Sequence, residues 1–170
     1  MPSDLIVLTA SNGGNLKLAE RFVKAAAAQN ATAELIDLTQ LDVPLFTPRV
    51  KEAGAGPDLV TLHDKLQQTP RWVICAPEYN GSIPPCLTNA IAWLSVQGDD
   101  FRALFNGRPV VIATFSGGGG MELLLSLRIQ LTHLGAEVVG RQLLSNHAKP
   151  AKDESIQDLL QRLGQKQPLQ

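Results

Sequence analysis

Three short segments in this 170-residue chain concentrate the residue types that bind and orient a ligand. The first is Ser11-Asn12-Gly13-Gly14-Asn15, followed at once by Leu16 and a helical pattern. Small residues let backbone N–H groups converge on one point, and the start of a helix adds partial positive charge there. Ser11, Asn12 and Asn15 contribute side-chain donors, so the segment is suited to a phosphate monoester without a cationic residue. The competing reading is an ordinary turn with Asn15 as a helix cap. The second segment, Pro77-Glu78-Tyr79-Asn80-Gly81-Ser82-Ile83-Pro84, offers an aromatic ring to cover a flat ligand and backbone amides to bond its heteroatoms. Glu78 has no histidine near it in sequence, so a helix-side contact competes with any acid role. The third, Ser116-Gly117-Gly118-Gly119-Gly120, carries four glycines, which is entropically expensive for a bare turn and suits close approach of backbone to a flat molecule. Flexibility alone is the alternative.

Other chemistries find less support. His63, His133 and His147 stand apart, without the spacing of a metal site. Cys75 and Cys86 read as buried, inert thiols. Ser82 and Ser116 lie outside a Gly-x-Ser-x-Gly elbow, which disfavours a hydrolase nucleophile. The first segment matches neither Gly-x-Gly-x-x-Gly nor the Gly-Lys-Ser/Thr phosphate loop. Trp93 and Leu94 are expected to pack.

The elements that must hold these segments alternate in type. Strand-like runs fall at Leu5–Leu8, Ala33–Leu38, Trp72–Ala76, Pro109–Phe115 and Glu137–Leu144, the last interrupted by Gly140. Helical spacing marks Leu16 to Ala26, Asp58–Gln68, Pro84–Val96 and Met121–Leu134, with a last helix around Ile156, Leu159, Leu160 and Leu163. Gly135 and Gly164 are the expected stops. Strands alternating with helices predict an α/β fold, a doubly wound five-stranded parallel sheet in the order 2-1-3-4-5 with helices on both faces. All three segments then follow strands at the sheet's carboxyl edge, where such folds bind ligands. Thr39–Pro57, with three prolines and two glycines, reads as one long irregular excursion.

Composition narrows the class. Hydrophobic residues make up 44% and charged residues 18% of the chain, which excludes disordered and coiled-coil readings. A net charge of −1 gives no field for steering onto nucleic acid or an anionic membrane. No apolar run reaches membrane-spanning length, and no secretory leader is evident. Two cysteines make no disulfide framework, so a reducing cytoplasm is the expected setting. One domain over residues 1–170 is expected from the length.

Pro77-Glu78-Tyr79-Asn80-Gly81-Ser82-Ile83-Pro84 with Leu87-Thr88-Asn89-Ala90-Ile91-Ala92-Trp93-Leu94-Ser95 closely resembles the signature of the NADPH-dependent FMN reductase family. Asp42-Val43-Pro44-Leu45-Phe46, Ser116-Gly117-Gly118 and Leu131-Thr132-His133-Leu134-Gly135-Ala136 are similar to further family segments, so the resemblance runs from about residue 4 to 145. It implies a flavodoxin-like fold and bound FMN, with NADPH or NADH as co-substrate and a small-molecule electron acceptor such as a quinone, free flavin or azo compound. It implies phosphate contacts from Ser11 and Asn15, and flavin contacts from Pro77, Glu78, Tyr79, Asn80, Ser116 and Gly117; Asn12, Gly13, Gly14, Leu16, Gly81 and Gly118 of the same loops are expected to complete the FMN site. It implies a homodimer or homotetramer with Pro84–Val96 near the contact. The first loop departs from the family pattern in lacking an arginine. No side chain need act as a general acid, so none is nominated as catalytic, and no metal is expected. An FMN electron carrier and a cofactor-free regulatory module on the same fold are the rival readings.

Overall fold

The computed structural model describes residues 3–169; the outermost residues of the expected 1–170 span lie outside the described chain. The alternation of apolar runs and amphipathic segments resolves into β1 (Leu5–Thr9), α1 (Gly14–Ala28), β2 (Ala33–Asp37), α2 (Pro48–Ala53), α3 (Pro57–Gln68), β3 (Trp72–Cys75), α4 (Pro85–Leu94), β4 (Pro109–Phe115), α5 (Met121–His133), β5 (Glu137–Val138), β6 (Leu143–Ser145) and α6 (Asp153–Gly164). All pairings are parallel, in the expected order β2-β1-β3-β4-β5, and β6 also pairs with β4.

Because side chains alternate across a strand, each run serves two cores. Ile6, Leu8, Trp72, Ile74, Val110 and Ile112 face the layer of α3, α4 and α5. Leu5, Val7, Val73, Cys75, Val111 and Ala113 face α1 and α6. Burial on both faces explains why these runs read as continuous apolar stretches. The buried stripe of α1 is Asn15, Leu18, Ala19, Phe22 and Ala26, so Leu16 and Val23, expected on that face, lie at its margin. Phe22 outweighs them because its ring fills the space over the sheet.

The five-strand expectation needs correction at the edge. Pro109 faces Glu137 whereas Ala113 faces Leu143, so the edge chain carries two residues more than its partner and splits in two. The freed carbonyls do not go unpaired. Arg128 of α5 donates to Val139 O at 2.9 Å, to Val138 O at 3.4 Å, and to Gln142 Oε1. A guanidinium with five donors can serve several carbonyls at once, which a strand partner cannot.

The Thr39–Pro57 excursion also differs from expectation. It contains a 3-10 turn at Leu38–Gln40, started by Asp37 accepting from the Thr39 N–H. It also contains α2, which Thr47 caps by accepting from the Val50 N–H at 3.1 Å. Between them the chain is fastened to α4. Trp93 Nε1 and Asn89 Nδ2 both donate to Pro44 O, at 2.7 and 3.0 Å, and Asn89 Oδ1 accepts from the Phe46 N–H at 2.7 Å. Phe46 meets the Trp93 ring edge-on at 5.1 Å.

Candidate functional site

Thr9 is in register with Cys75, and Cys75 with Ala113, so the loops after β1, β3 and β4 emerge side by side. The ladder continues one step beyond the strands: the Ala10 N–H donates to Cys75 O at 3.0 Å and the Ala76 N–H to Ala113 O at 3.1 Å. Side chains then fasten the loop roots. Thr114 Oγ1 donates to Ala76 O at 2.6 Å, and Thr9 Oγ1 to Ser11 O at 2.8 Å. Thr9 and Thr114 are both fully buried, so these hydroxyls serve backbone rather than solvent.

Asn15 is 2% exposed and spans the first and third loops. Its Nδ2 donates to Phe115 O and its Oδ1 accepts from the Phe115 N–H, both at 2.8 Å. Both ends of the amide are thereby engaged, and the cap position of α1 falls instead to Gly13, which has no side chain to cap it. The first N–H groups of α1 have no side-chain cap and no acidic residue in the first turn. Gly14 packs so closely on the Phe115 ring that any Cβ there would overlap it. Ser11 is half-buried, whereas Asn12 and Gly13 are exposed.

The second loop closes as a tight hairpin. Tyr79 and Ser82 exchange N–H to O bonds at 3.1 and 3.0 Å, and Asn80 and Gly81 both take positive φ, 51° and 67°. This is the conformation that an Asn-Gly pair favours in a two-residue turn, a signal in the sequence that the residue-type reading passed over. Tyr79 stands 48% exposed at its root. Pro77 is buried, and Glu78 reaches across to the third loop, where Oε2 accepts from the Leu123 N–H at 3.2 Å. Leu123 lies in the first turn of α5, whose own first flanking residue, Gly120, has no side chain to cap it. Glu78 thus supplies the missing cap from another loop, the helix-side contact that competed with an acid role.

In the third loop Ser116 is buried, and its Oγ accepts from the Gly118 N–H at 3.3 Å. Gly120 sits at φ +83°, and a Cβ there would approach Thr114 Cγ2 to 2.9 Å. Gly117 and Gly118 are exposed with open space above them, so their backbone is free to be approached. Of the two thiols expected to be buried, Cys75 is, whereas Cys86 is half-buried. Burial pushes both Cys75 and Cys86 upward, and the Cys86 thiol points at Ala10 O at 3.3 Å.

The sites nominated from sequence therefore come together on one rim, but not every side chain faces outward. Asn15 and Glu78 are turned inward as ties between loops. Sequence reasoning missed Thr9, Thr114, Phe115 and Asn89 as positioning residues. Phe115 and Asn15 are 100 positions apart, so no local pattern could have paired them.

A doubly wound parallel sheet with three small-residue loops on adjacent carboxyl ends defines a flavodoxin-like protein. The chain belongs to the NADPH-dependent FMN reductase family, whose model matches residues 4–150. Over 123 residues it is 36% identical to the quinone reductase of Escherichia coli K12, a match covering 68% of this chain and 64% of that protein. The chain thus spans under two thirds of the length of the curated relatives it matches. Its fold is similar to that of an oxidoreductase from Corynebacterium diphtheriae, with a TM-score of 0.75 and 18% identity over 95% of this chain and 94% of the other. It is also similar to a flavoenzyme NAD(P)H:(acceptor) oxidoreductase from Paracoccus denitrificans, with a TM-score of 0.72 and 22% identity over 95% and 92%.

Proposed function

We propose that this chain is an FMN-dependent NAD(P)H oxidoreductase that passes electrons to a quinone, a free flavin, an azo compound or a similar small acceptor. The observation that carries the proposal is the family match together with one rim that supplies a bare helix start, a hairpin with an exposed tyrosine, and an open glycine backbone. The residues present fit the group. The uncapped N–H groups of α1, with Ser11 and Asn12, are suited to a phosphate. Leu16, the third residue of α1, lies in the same first turn. Pro77–Gly81 and Ser116–Gly118 offer two walls of backbone amides spaced by the β3–β4 pairing for a flat ring. FMN, when bound, accepts a hydride from a reduced nicotinamide and returns electrons to the acceptor.

The chain's own part is to hold and orient. Asn15 and Glu78 keep the three loops at fixed separation, so the walls do not have to be ordered when the ring arrives. Tyr79 covers an edge of the space between the loops and limits water there. With one rim to serve both donor and acceptor, the two must visit in turn, which predicts ping-pong kinetics. The visible absorbance spectrum of the purified chain, with and without FMN, followed by steady-state oxidation of NADPH and NADH, tests the reading. A colourless protein that gains no thermal stability from excess FMN would sink it. Flavin binding without nicotinamide turnover would point to an electron carrier instead, although a net charge of −1 is poorly suited to docking by charge.

A cytoplasmic setting belongs to the same proposal and is supported by two unpaired thiols. So does a homodimer. The apolar residues of α4 that suggested a contact are buried within this chain. On α5, however, Met121, Leu125 and Ile129 form an exposed stripe at four-residue spacing, Ile129 at 70% exposure. Sedimentation of Leu125→Glu tests it: an unchanged oligomer would remove α5 from the contact. Among the described residues no helix is long and apolar enough to cross a membrane.

A further inference from the structure

We propose that the cavity between the first turns of α1 and the loop after β6 receives a phosphate monoester, and that Lys17 supplies there the positive charge that the first loop lacks, with His147 as a ring N–H donor beside it. The inference rests on the flavin-binding reading and adds to it a source of phosphate selectivity.

The cavity measures about 340 Å³. Three basic side chains line it, Lys17, Arg21 and His147, and no carboxylate does. Arg21 is already committed: it donates to Asp153 Oδ1 at 2.6 Å and to Ala151 O at 2.9 Å, tying α1 to the start of α6. Lys17, by contrast, pairs with no carboxylate among the described residues. His147 is oriented by packing, its ring edge-on to Phe115 at 4.9 Å and 89°. The turn that carries it is closed by the Lys149 N–H donating to Asn146 Oδ1 at 2.7 Å.

The cavity meets α1 at Gly14, its first helical residue, so it adjoins the same bare helix start that borders the first loop. An unpaired ammonium, an imidazole and a helix start favour an anion over a neutral group. A dianion with three acceptor oxygens satisfies them better than a carboxylate with two. Leu18, Phe115 and Pro150 complete the wall with apolar surface, which limits water around the charged contacts. Two sources share this chemistry: the ribityl phosphate of FMN and the 2′-phosphate of NADPH. The family's first-loop arginine is absent here, and Gly14 borders both spaces, so the flavin phosphate is the occupant we assign.

The test uses the full chain freed of endogenous flavin, with Lys17→Met and His147→Gln as separate variants; Lys17 and His147 are both exposed, and Arg21 is left intact. Fluorescence titrations with FMN and riboflavin give two dissociation constants for each protein. Loss of one charge-assisted contact is expected to weaken FMN about tenfold while leaving riboflavin within about twofold. If instead the flavin ratio holds and the NADPH to NADH ratio of KM collapses, the cavity is a phosphate receptor for the nicotinamide donor and the assignment to FMN is overturned. If both ratios hold in both variants, the cavity takes no phosphate and the inference fails. Should wild type bind neither flavin, the proposed function fails, and the rise of Tm with added inorganic phosphate decides the cavity by itself. A rise lost in Lys17→Met supports it, and no rise in wild type overturns it.

Discussion

Replacing Asn15 by alanine separates a structural tie from a ligand contact. The side chain is nearly inaccessible and makes two 2.8 Å bonds to one residue, Phe115, at the end of strand β4. Each bond contributes about 1 kcal/mol net, and truncation also strands a backbone N–H and a carbonyl in a largely buried place. The cavity beside Gly14 and Phe115 can admit water to part of that gap, which lowers the penalty below the full desolvation value. The expected loss is therefore about 3 kcal/mol, or a fall in Tm of about 6–12 °C for a chain of this size. Thermal and urea unfolding followed by circular dichroism would read it, with Asn12→Ala as the comparison. Asn12 lies in the same loop but is exposed and holds no side-chain bond, so its variant should stay within about 0.5 kcal/mol of wild type. Should Asn15→Ala unfold like wild type and yet bind FMN more weakly, Asn15 would be a direct phosphate donor and the tie between loops would carry no weight.

Gly120→Ala combines a left-handed backbone with a 2.9 Å approach to Thr114 Cγ2, so destabilisation by about 2 kcal/mol is expected, read as a shift of the urea midpoint. Trp93→Phe keeps a ring against Phe46 but loses the 2.7 Å bond to Pro44 O and leaves a gap where Trp93 is 1% exposed. The segment 41–47 should then open more often, giving faster limited proteolysis there beside a fall in Tm of about 2–6 °C; unchanged cleavage would show that Asn89 alone suffices. Asp158 accepts from both Arg162 and Arg141, and those bonds hold its carboxyl below the usual value. A lowered folded-state pKa means the stabilisation is present above the unfolded value of about 4 and fades as pH falls through the folded one. Asp158→Asn should therefore be slightly less stable than wild type at pH 7, with the gap closing below about pH 4; a gap that widens in acid would contradict the pairing.

What the linear chain determined is set by local and periodic rules. Apolar runs such as Trp72–Cys75 and Pro109–Ala113 had to be strands buried on both faces, and their alternation with helices leaves few topologies under the right-handed crossover rule. That placed Ser11–Asn15, Pro77–Ile83 and Ser116–Gly120 on one rim. Tertiary structure alone decided which of their side chains stay exposed and which turn inward. Asn15 and Glu78 carry the residue types of a binding site, yet Asn15 spends both ends of its amide on Phe115, and Glu78 caps α5 with one of its oxygens. Gly140 marked the break in the edge strand, but its two-residue offset against β4 and the reach of Arg128 to the carbonyls the ladder leaves free depend on the folded register. The basic cavity brings Lys17 to His147 across 130 residues of chain, a distance at which no periodicity acts. Periodicity reports the face a residue occupies; a hydrogen bond needs a partner within 3 Å, and only the folded chain supplies it.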